Sequence, residues 1–294
     1  MSLKSKVAVS IFLLLAVSIC IYSQVPGVHS WSYTTHQFIA TNAIYLMPGD
    51  LNWFFTTYSD TIVDYSNKPD SWKYSDNYEQ YRHFYQLDVN PNGHPESDYV
   101  DGVLPWAVED NFNALVQYLK ENDLEHAAQL AGVISHYIGD ASMPLHATSD
   151  YNPSGNHVPF ESTVDSQITK DNVNLDVSGF VPSTIDNIFS STMQMLNESY
   201  SYTIGSSPSV LSPYLRSGVL WNDEIKNITE NRLSSSVQLL ADIWYTAIVQ
   251  SGISSPTPVQ PSTHSTTNST LYIEVGVLVI AVISIVIMIH IRRR

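Results

Sequence analysis

Apolar residues recur at three- and four-residue intervals along most of the chain between residues 31 and 250, with little sustained two-residue alternation. This spacing is typical of α-helices rather than of β-strands. It predicts helices over residues 34–47, 105–120, 125–139, 183–200 and 219–250. The third of these is apolar nearly all round, which predicts a helix at the centre of the fold. We therefore expect residues 31–250 to form one all-α, multi-helix domain.

Loops are predicted where helix-breaking residues cluster. The segments 85–103 and 147–157 are rich in Asn, Pro, Gly and Asp, and Pro144 is expected to end the central helix.

The first thirty residues have the layout of a secretory signal peptide. Two lysines precede a short apolar run, and small residues stand at the −3 and −1 positions before Trp31. A lipoprotein processed at Cys20 is the weaker alternative, because bulky Ile19 stands where a small residue is expected. We therefore predict a signal peptide over residues 1–30, with Trp31 as the first residue of the mature chain.

The other end of the chain predicts a membrane anchor. Residues 271–291 form an apolar stretch with the length of a membrane-spanning helix. Three arginines follow at 292–294, and they favour a cytoplasmic tail. The Ser/Thr/Pro-rich residues 251–270 read as an extended stalk. A buried core helix is the alternative for 271–291. We expect a single-pass protein of the cell membrane, with its domain extracellular.

The domain between these ends is strongly acidic. Residues 31–250 contain 8 basic and 27 acidic residues, a formal charge of −19. Such a surface repels polyanions, although adaptation to habitat or solubility explains it as well. The single cysteine, Cys20, lies in the predicted signal peptide, so no disulfide or thiolate chemistry is expected in the mature chain.

Histidine and carboxylate residues group at helical spacing in two short segments. "HYIGDASMPLH" places His136 and Asp140 four residues apart, followed by His146, and "HVPFE" repeats the spacing with His157 and Glu161. Residues four apart share one helix face, and imidazole nitrogen with carboxylate oxygen suits zinc. A single pair would indicate only a helix-face hydrogen bond, whereas two pairs flanking a third histidine favour a metal site.

These segments resemble the zinc-binding core of the bacterial zinc-dependent phospholipases C and of the fungal and plant single-strand nucleases. These enzymes form one all-α superfamily with a trinuclear zinc site. Their pattern is an N-terminal Trp, an early His, an Asp, another His, then H-x₃-D-x₅-H and H-x₃-D/E. The chain supplies each element in that order between Trp31 and Glu161.

The resemblance implies three zinc ions. The first would be bound by Asp70, His83, His136 and Asp140. The second would be bound by His146, His157 and Glu161. The third would be bound by His36, by Asp140 as a bridge, and by the α-amino nitrogen and carbonyl oxygen of Trp31. An amide nitrogen inside a peptide bond has a delocalised lone pair, so the last ligands exist only if Trp31 is the first residue.

The same resemblance implies catalytic roles for two residues in "KPDSWK". Asp70 would orient the attacking water and accept its proton, and clustered zinc would activate that water and polarise the phosphoryl oxygens. Asp60, Asp64 and Asp76 remain alternatives for this carboxylate. Lys73 stands where the nucleases have an arginine near the scissile phosphate, and an ordinary surface lysine is the alternative.

The substrate class stays open between phospholipid and single-stranded nucleic acid. The close spacing of Trp31 and His36 resembles the nucleases, whereas Glu161 as the last ligand resembles the phospholipases. Phe84 could stack a base, contact a lipid headgroup or belong to the core, and Gln86 replaces the base-contacting Asp of the nucleases. The acidic domain and the predicted anchor favour a phospholipid. No protein partner is inferred, and a non-catalytic, zinc-stabilised adhesin or receptor is the alternative of another class.

Overall fold

A computed structural model describes residues 31–49, 51–91, 99–203 and 210–254, and within these ranges the regular structure is helical, with no β-strand. The α-helices are α1 (Tyr33–Leu46), α2 (Asn52–Thr57), α3 (Ser59–Tyr65), α4 (Lys68–Trp72), α5 (Leu104–Lys120), α6 (Leu124–Ser142), α7 (His157–Thr169), α8 (Ile188–Ser201), α9 (Leu211–Arg216) and α10 (Asp223–Ser251). Short 3₁₀ helices cover Glu79–His83, Tyr99–Asp101, Pro144–Ala147 and Pro153–Gly155. The prediction of an all-α domain is confirmed.

The five helices predicted from apolar spacing are all present, as α1, α5, α6, α8 and α10. Two of them begin four or five residues later than predicted, because an asparagine caps each one. The side chain of Asn187 accepts a hydrogen bond from the Ser190 amide at 2.7 Å, and that of Asn222 accepts one from the Ile225 amide at 2.8 Å. The helices α2, α3, α4, α7 and α9 were not predicted, and most of them are too short to show a period.

Helix α6 lies at the centre of the fold, as predicted. Every residue from 131 to 142 is buried, and α1, α3, α5, α8 and α10 all pack against this helix. It ends at Ser142, two residues before Pro144, as its sequence predicts. Residues on any face of α6 therefore project into the protein interior, and this is where a buried polar site can be assembled.

One glycine lets α3 approach the central helix closely. A Cβ atom added at Gly132 would lie 2.4 Å from the carbonyl oxygen of Ile62 and 2.6 Å from the Cβ of Tyr65. No larger residue fits without separating the helices. This approach brings the turn that follows α3 against the polar face of α6.

The hydrophobic core of the described residues is contained between Trp31 and Ile248. The contacts of the chain likewise place all the described residues in one compact unit. A protein spanning residues 31–254 therefore keeps every core residue and is expected to fold independently.

The predicted signal peptide, stalk, membrane helix and basic tail lie outside the described residues. Within the described ranges, no helix combines the length and the apolar character that crossing a membrane requires.

Candidate metal centre

Six elements bring the predicted side-chain ligands to one place beside the middle and C-terminal part of α6. His36 projects from α1, Asp70 from α4, His83 from the end of the first 3₁₀ helix, His136 and Asp140 from α6, His146 from the 3₁₀ helix after α6, and His157 and Glu161 from α7. All are buried except Asp70, whose side chain is 26% exposed. Buried charged groups are costly unless they are paired or bind a metal ion.

The potential ligand atoms form three groups, in each of which they lie within 4.8 Å of one another. The groups are Asp70 with His83 and His136, His36 with His136 and Asp140, and His146 with His157 and Glu161. The last group has the membership predicted for the second zinc ion. The group of Asp70, His83 and His136 contains three of the four side chains predicted for the first ion and lacks Asp140. The group of His36, His136 and Asp140 contains both side chains predicted for the third ion, and these two groups share His136.

The carboxylate of Asp140 lies close to histidines of all three groups. Its Oδ2 lies 2.8 Å from His83 Nδ1 and 3.2 Å from His136 Nε2. Its Oδ1 lies 3.5 Å from His146 Nδ1 and 3.7 Å from His36 Nε2. Each oxygen thus faces two imidazoles, an arrangement compatible with the bridging role that the sequence predicts.

The group of His146, His157 and Glu161 contains polar atoms that the protein leaves unsatisfied. Neither ring nitrogen of His146 has a hydrogen-bond partner among the described residues, and the same is true of Glu161 Oε2 and Asp140 Oδ1. Buried polar atoms are nearly always hydrogen-bonded. Imidazole nitrogens and carboxylate oxygens are zinc ligands, so the donor set fits zinc.

The protonation states suit the same role. Burial lowers the pKa of His146 to about 3 and that of His157 to about 4, so both imidazoles are neutral at physiological pH and keep a lone pair for a metal. Burial, reinforced by Asp70 and Asp140, raises the pKa of Glu161. Burial alone would also raise the pKa of Asp140, but His136 and His146 hold it well below its ordinary value. A bound cation would stabilise both carboxylates in their ionised form.

Two groups that the sequence did not single out orient the ligands. The Nδ1–H of His136 donates to the carbonyl oxygen of Ser66 at 2.7 Å, which directs Nε2 towards Asp140. His83 Nε2 lies 3.6 Å from a carboxylate oxygen of Glu79, and this leaves Nδ1 facing the site. Glu79 is itself buried, accepting hydrogen bonds from the Tyr137 hydroxyl and, at 3.0 Å, from Arg82. Glu79 and His83 are four residues apart in "EQYRH", and this spacing could have indicated from the sequence that they interact.

The His36 ring packs directly against Gly139 of α6, which has no side chain. A Cβ atom added at Gly139 would lie 3.0 Å from His36 Nδ1 and 3.2 Å from Cε1. The His36 ring stacks on that of His136, with centroids 3.8 Å apart. The glycine within "HYIGD" therefore keeps space for this histidine.

Asp70, and none of the alternative carboxylates, lies beside the histidines. Its Oδ1 is 3.7 Å from His136 Nε2 and 3.8 Å from His83 Nδ1. Asp60 and Asp64 instead line a separate groove between α1 and α3, and Asp76 accepts a hydrogen bond from the amide of Tyr78.

The positively charged side chain of Lys73 lies beside the Asp70 carboxylate. The ammonium nitrogen of Lys73 is 2.6 Å from Asp70 Oδ1, and only 11% of the lysine side chain is exposed. Burial would raise the pKa of Asp70, but His136 and Lys73 together lower it below its ordinary range. Asp70 is therefore ionised, and Lys73 holds a positive charge at the edge of the site rather than on the open surface.

Trp31 lies next to the end of α6 and the start of α7, the two helices that each carry two candidate ligands. Its indole is fully buried, donates to the Ser142 hydroxyl at 3.3 Å, and packs on Phe160 with centroids 5.9 Å apart. Ser142 follows Asp140 on α6, and Phe160 precedes Glu161 on α7. Whether its backbone atoms bind a metal stays a prediction, because residues 1–30 lie outside the described ranges.

A pocket of about 160 Å³ adjoins the group of His146, His157 and Glu161. It is lined by Gln80, Tyr81, Phe84, Gln86, Leu145, His146, Thr148, Tyr151 and His157. Phe84 therefore lies at a pocket wall and is only partly buried, not in the core. The Tyr85 amide donates to the His146 carbonyl oxygen at 2.9 Å, which fixes this wall against the ligand segment.

Comparisons of the chain with known structures find distant similarity to two toxins. The alpha toxin from Clostridium absonum is 16% identical, with a TM-score of 0.47, over 74% of this chain and 63% of the toxin. The alpha-toxin of Clostridium perfringens from the avian strain SWCP is 14% identical, with a TM-score of 0.46, over 76% of this chain and 65% of the toxin. The chain thus spans less than two thirds of either toxin's length.

No single characterised protein sequence matches the chain. The family model for zinc-dependent phospholipase C, however, matches residues 35–202. This range is more than half of the chain and includes the candidate ligands from His36 to Glu161. The chain belongs to the zinc-dependent phospholipase C family.

Proposed function

We propose that this protein is a zinc-dependent phosphoric ester hydrolase that cleaves phospholipids in the manner of a phospholipase C. The observation that carries the proposal is the buried cluster of five histidines and three carboxylates, which includes unsatisfied ligand atoms and adjoins a pocket. Membership of the zinc-dependent phospholipase C family supports the same conclusion.

In this proposal the three ligand groups would hold zinc, Asp140 would serve the first and third ions, and the Trp31 terminus would complete the third site. Bound zinc activates water as a nucleophile near neutral pH and stabilises negative charge on phosphoryl oxygens. Neutral His146 and His157 offer lone pairs without having to lose a proton first. The Ser66 carbonyl oxygen fixes the ring of His136 through a hydrogen bond, and the Glu79 carboxylate lies 3.6 Å from Nε2 of His83, which leaves Nδ1 of that ring facing the site.

Asp70 and Lys73 act on the reacting groups. Asp70 is ionised and partly exposed, so it can orient the attacking water and accept its proton. The ammonium group of Lys73, 2.6 Å from Asp70, supplies positive charge where the phosphoryl group gains negative charge. Lysine lacks the bidentate fork of arginine, so it contributes charge rather than fixed geometry.

The pocket lining favours a lipid headgroup over a nucleic acid strand. Among the described residues that line it there is no lysine or arginine, whereas aromatic rings and neutral amides predominate. A polyanionic strand would require several cationic contacts, and the domain carries a formal charge of −19. In this account Phe84, at the pocket wall, contacts the lipid headgroup.

A single-strand nuclease or 3′-nucleotidase is the second candidate. Phe84, Tyr81 and Tyr151 at the pocket walls could stack a base. A non-catalytic zinc-stabilised adhesin or receptor is the third, and the partly exposed Asp70 and Lys73 beside the ligands count against it.

We further propose that the protein acts at the outer face of the cell membrane. The supporting features are those of the sequence: a signal peptide over 1–30, a stalk over 251–270, a spanning helix over 271–291 and a cytoplasmic tail over 292–294. A tethered enzyme meets a membrane substrate at a high effective concentration.

The test uses the protein spanning residues 31–254, with Trp31 as its first residue and loaded with zinc. Phosphatidylcholine, a bis-aryl phosphodiester and a single-stranded oligonucleotide are assayed in parallel, with and without a chelator. We expect chelator-sensitive release of the phosphorylated headgroup from phosphatidylcholine. Cleavage of the oligonucleotide alone would support the nuclease. Bound zinc without turnover of any ester would support the adhesin.

A further inference from the structure

A row of aromatic rings leads from the protein surface to the pocket beside His146. The ring centroids of Tyr78 and Tyr99 are 5.6 Å apart, those of Tyr99 and Tyr81 are 4.8 Å apart, and those of Tyr81 and Phe84 are 6.3 Å apart. Tyr81 and Phe84 line the pocket, whereas Tyr78 and Tyr99 do not. The row is thus continuous from the pocket wall outward.

The outer end of this row is exposed. Tyr78 is 42% exposed, Tyr99 is 49% exposed, and the adjacent Val100 is 48% exposed. We call these three residues the aromatic rim. Clustered aromatic and aliphatic groups at the mouth of a site mark an interaction surface more often than single exposed residues do. Tyrosine in particular suits the water–membrane boundary, because its ring is apolar and its hydroxyl is polar.

The rim offers no net positive charge to a partner. Arg82 lies over the Tyr78 ring, 5.4 Å from its centroid, but its guanidinium is 3.0 Å from the buried carboxylate of Glu79. Asp76 bonds the Tyr78 amide, and Asp101 shares the short 3₁₀ helix of Tyr99. An anionic partner would meet these carboxylates, so the surface fits a partner without net charge.

We propose that the aromatic rim docks on the surface of an uncharged, zwitterionic phospholipid bilayer and places the pocket at the level of the lipid headgroups. This inference rests on the proposed phospholipid substrate. It adds the surface through which the domain meets the bilayer, beyond the predicted tether. Because insertion is driven by apolar contact, binding should tolerate salt and should not increase with anionic lipid.

The experiment compares three zinc-loaded proteins spanning residues 31–254, which lack the predicted anchor and retain the whole core. They are the wild type, the rim variant Tyr78→Ser/Tyr99→Ser, and the control variant Tyr33→Ser/Tyr45→Ser. The control tyrosines are 62% and 76% exposed and line the separate groove between α1 and α3. Zinc content and circular dichroism establish that each protein is folded.

Binding is measured by co-sedimentation with vesicles of a non-hydrolysable ether analogue of phosphatidylcholine, with and without added anionic lipid. We expect the rim variant to partition about five- to tenfold more weakly than the wild type, because the two exposed rings that would insert into the bilayer are removed. The control variant should stay within about twofold. Hydrolysis of vesicles should fall in parallel, whereas hydrolysis of a short-chain, monomeric phosphatidylcholine should change less than about twofold.

Equal vesicle binding by the rim and control variants would overturn the inference, as would binding that requires anionic lipid. A change in oligomeric state, rather than in vesicle binding, would overturn it by assigning the rim to a second copy of the chain. The proposed function fails separately, if the wild type hydrolyses neither monomeric nor vesicular phospholipid. In that case, rim-dependent binding to vesicles would still support the docking surface.

Discussion

Replacing Glu79 by glutamine removes one negative charge from behind a metal ligand while it keeps the shape of the side chain. Glu79 lies 3.6 Å from His83 Nε2 and 3.0 Å from Arg82 Nη1. Burial would raise its pKa, but the neighbouring His83 imidazole and the hydrogen bond from Tyr137 lower it, so the wild-type group is ionised at neutral pH. A glutamine oxygen can still accept from Tyr137. The substitution therefore tests the charge that orients His83 and makes it a better ligand.

The expected effect is a selective loss of zinc. Removing a partner that orients a metal-binding histidine commonly costs about 10- to 100-fold in metal affinity, or about 1.4–2.7 kcal/mol. The loss should fall on the group of Asp70, His83 and His136. The group of His146, His157 and Glu161 does not contact Glu79, so its zinc should be retained.

The assay is a titration of bound zinc against a chelator-buffered series of free zinc concentrations. The matched control is Glu198→Gln, which removes the same charge from another arginine pair, since Glu198 lies 3.1 Å from Arg232 on α10. Thermal unfolding of the zinc-free proteins separates an effect on the fold from an effect on the metal.

The reasoning would be refuted if the Glu79→Gln and Glu198→Gln variants lost zinc at the same concentration of free zinc. It would also be refuted if all zinc were lost together with the fold, since Glu79 would then be structural. We predict that Glu79→Gln loses one zinc ion. The unfolding temperature of its zinc-free form should equal that of the zinc-free wild type.

Three further predictions follow from the site and from the ends of the chain. One additional residue before Trp31 converts its α-amino group into an amide; metal analysis should then find one zinc ion fewer, and unchanged zinc would refute the terminal ligand. Lys73→Met should lower kcat/KM for a phosphodiester about 10- to 100-fold at unchanged zinc content, with Lys73→Arg much less affected; equal rates would make Lys73 an ordinary lysine. The full chain should sediment with membranes and the chain without residues 271–294 should not; the same fraction for both would contradict the predicted anchor.

The long helices were predictable because each buries a periodic set of apolar residues. In helix α6 apolar residues occur on nearly every face, and residues 131–142 are all buried. The short helices α2, α3, α4 and α9 contain five to seven residues each, about one or two turns, which is too few for a period to emerge. Helix α7 has thirteen residues but buries only His157, Phe160, Glu161 and Val164, so its pattern is sparse.

The clustering of the candidate ligands was predictable because residue type and spacing carry the chemistry of a metal site. His136 with Asp140 and His157 with Glu161 share helix faces, and the resemblance to known zinc enzymes supplied the ligands that are distant in sequence. The orienting groups were harder to find. The partner of His136 is the backbone carbonyl of Ser66, and no side-chain pattern identifies such an atom. The aromatic rim is likewise visible only once Tyr78, which precedes the first 3₁₀ helix, and Tyr99, in the second, are brought together.

The zinc content of the protein spanning residues 31–254, with Trp31 as its first residue, tests the central claim most directly. The measurement is elemental analysis after dialysis against metal-free buffer, with hydrolysis of phosphatidylcholine followed in the same samples. The account predicts close to three zinc ions per chain, and activity that is lost on chelation and restored by zinc. Less than one zinc ion per chain would contradict it.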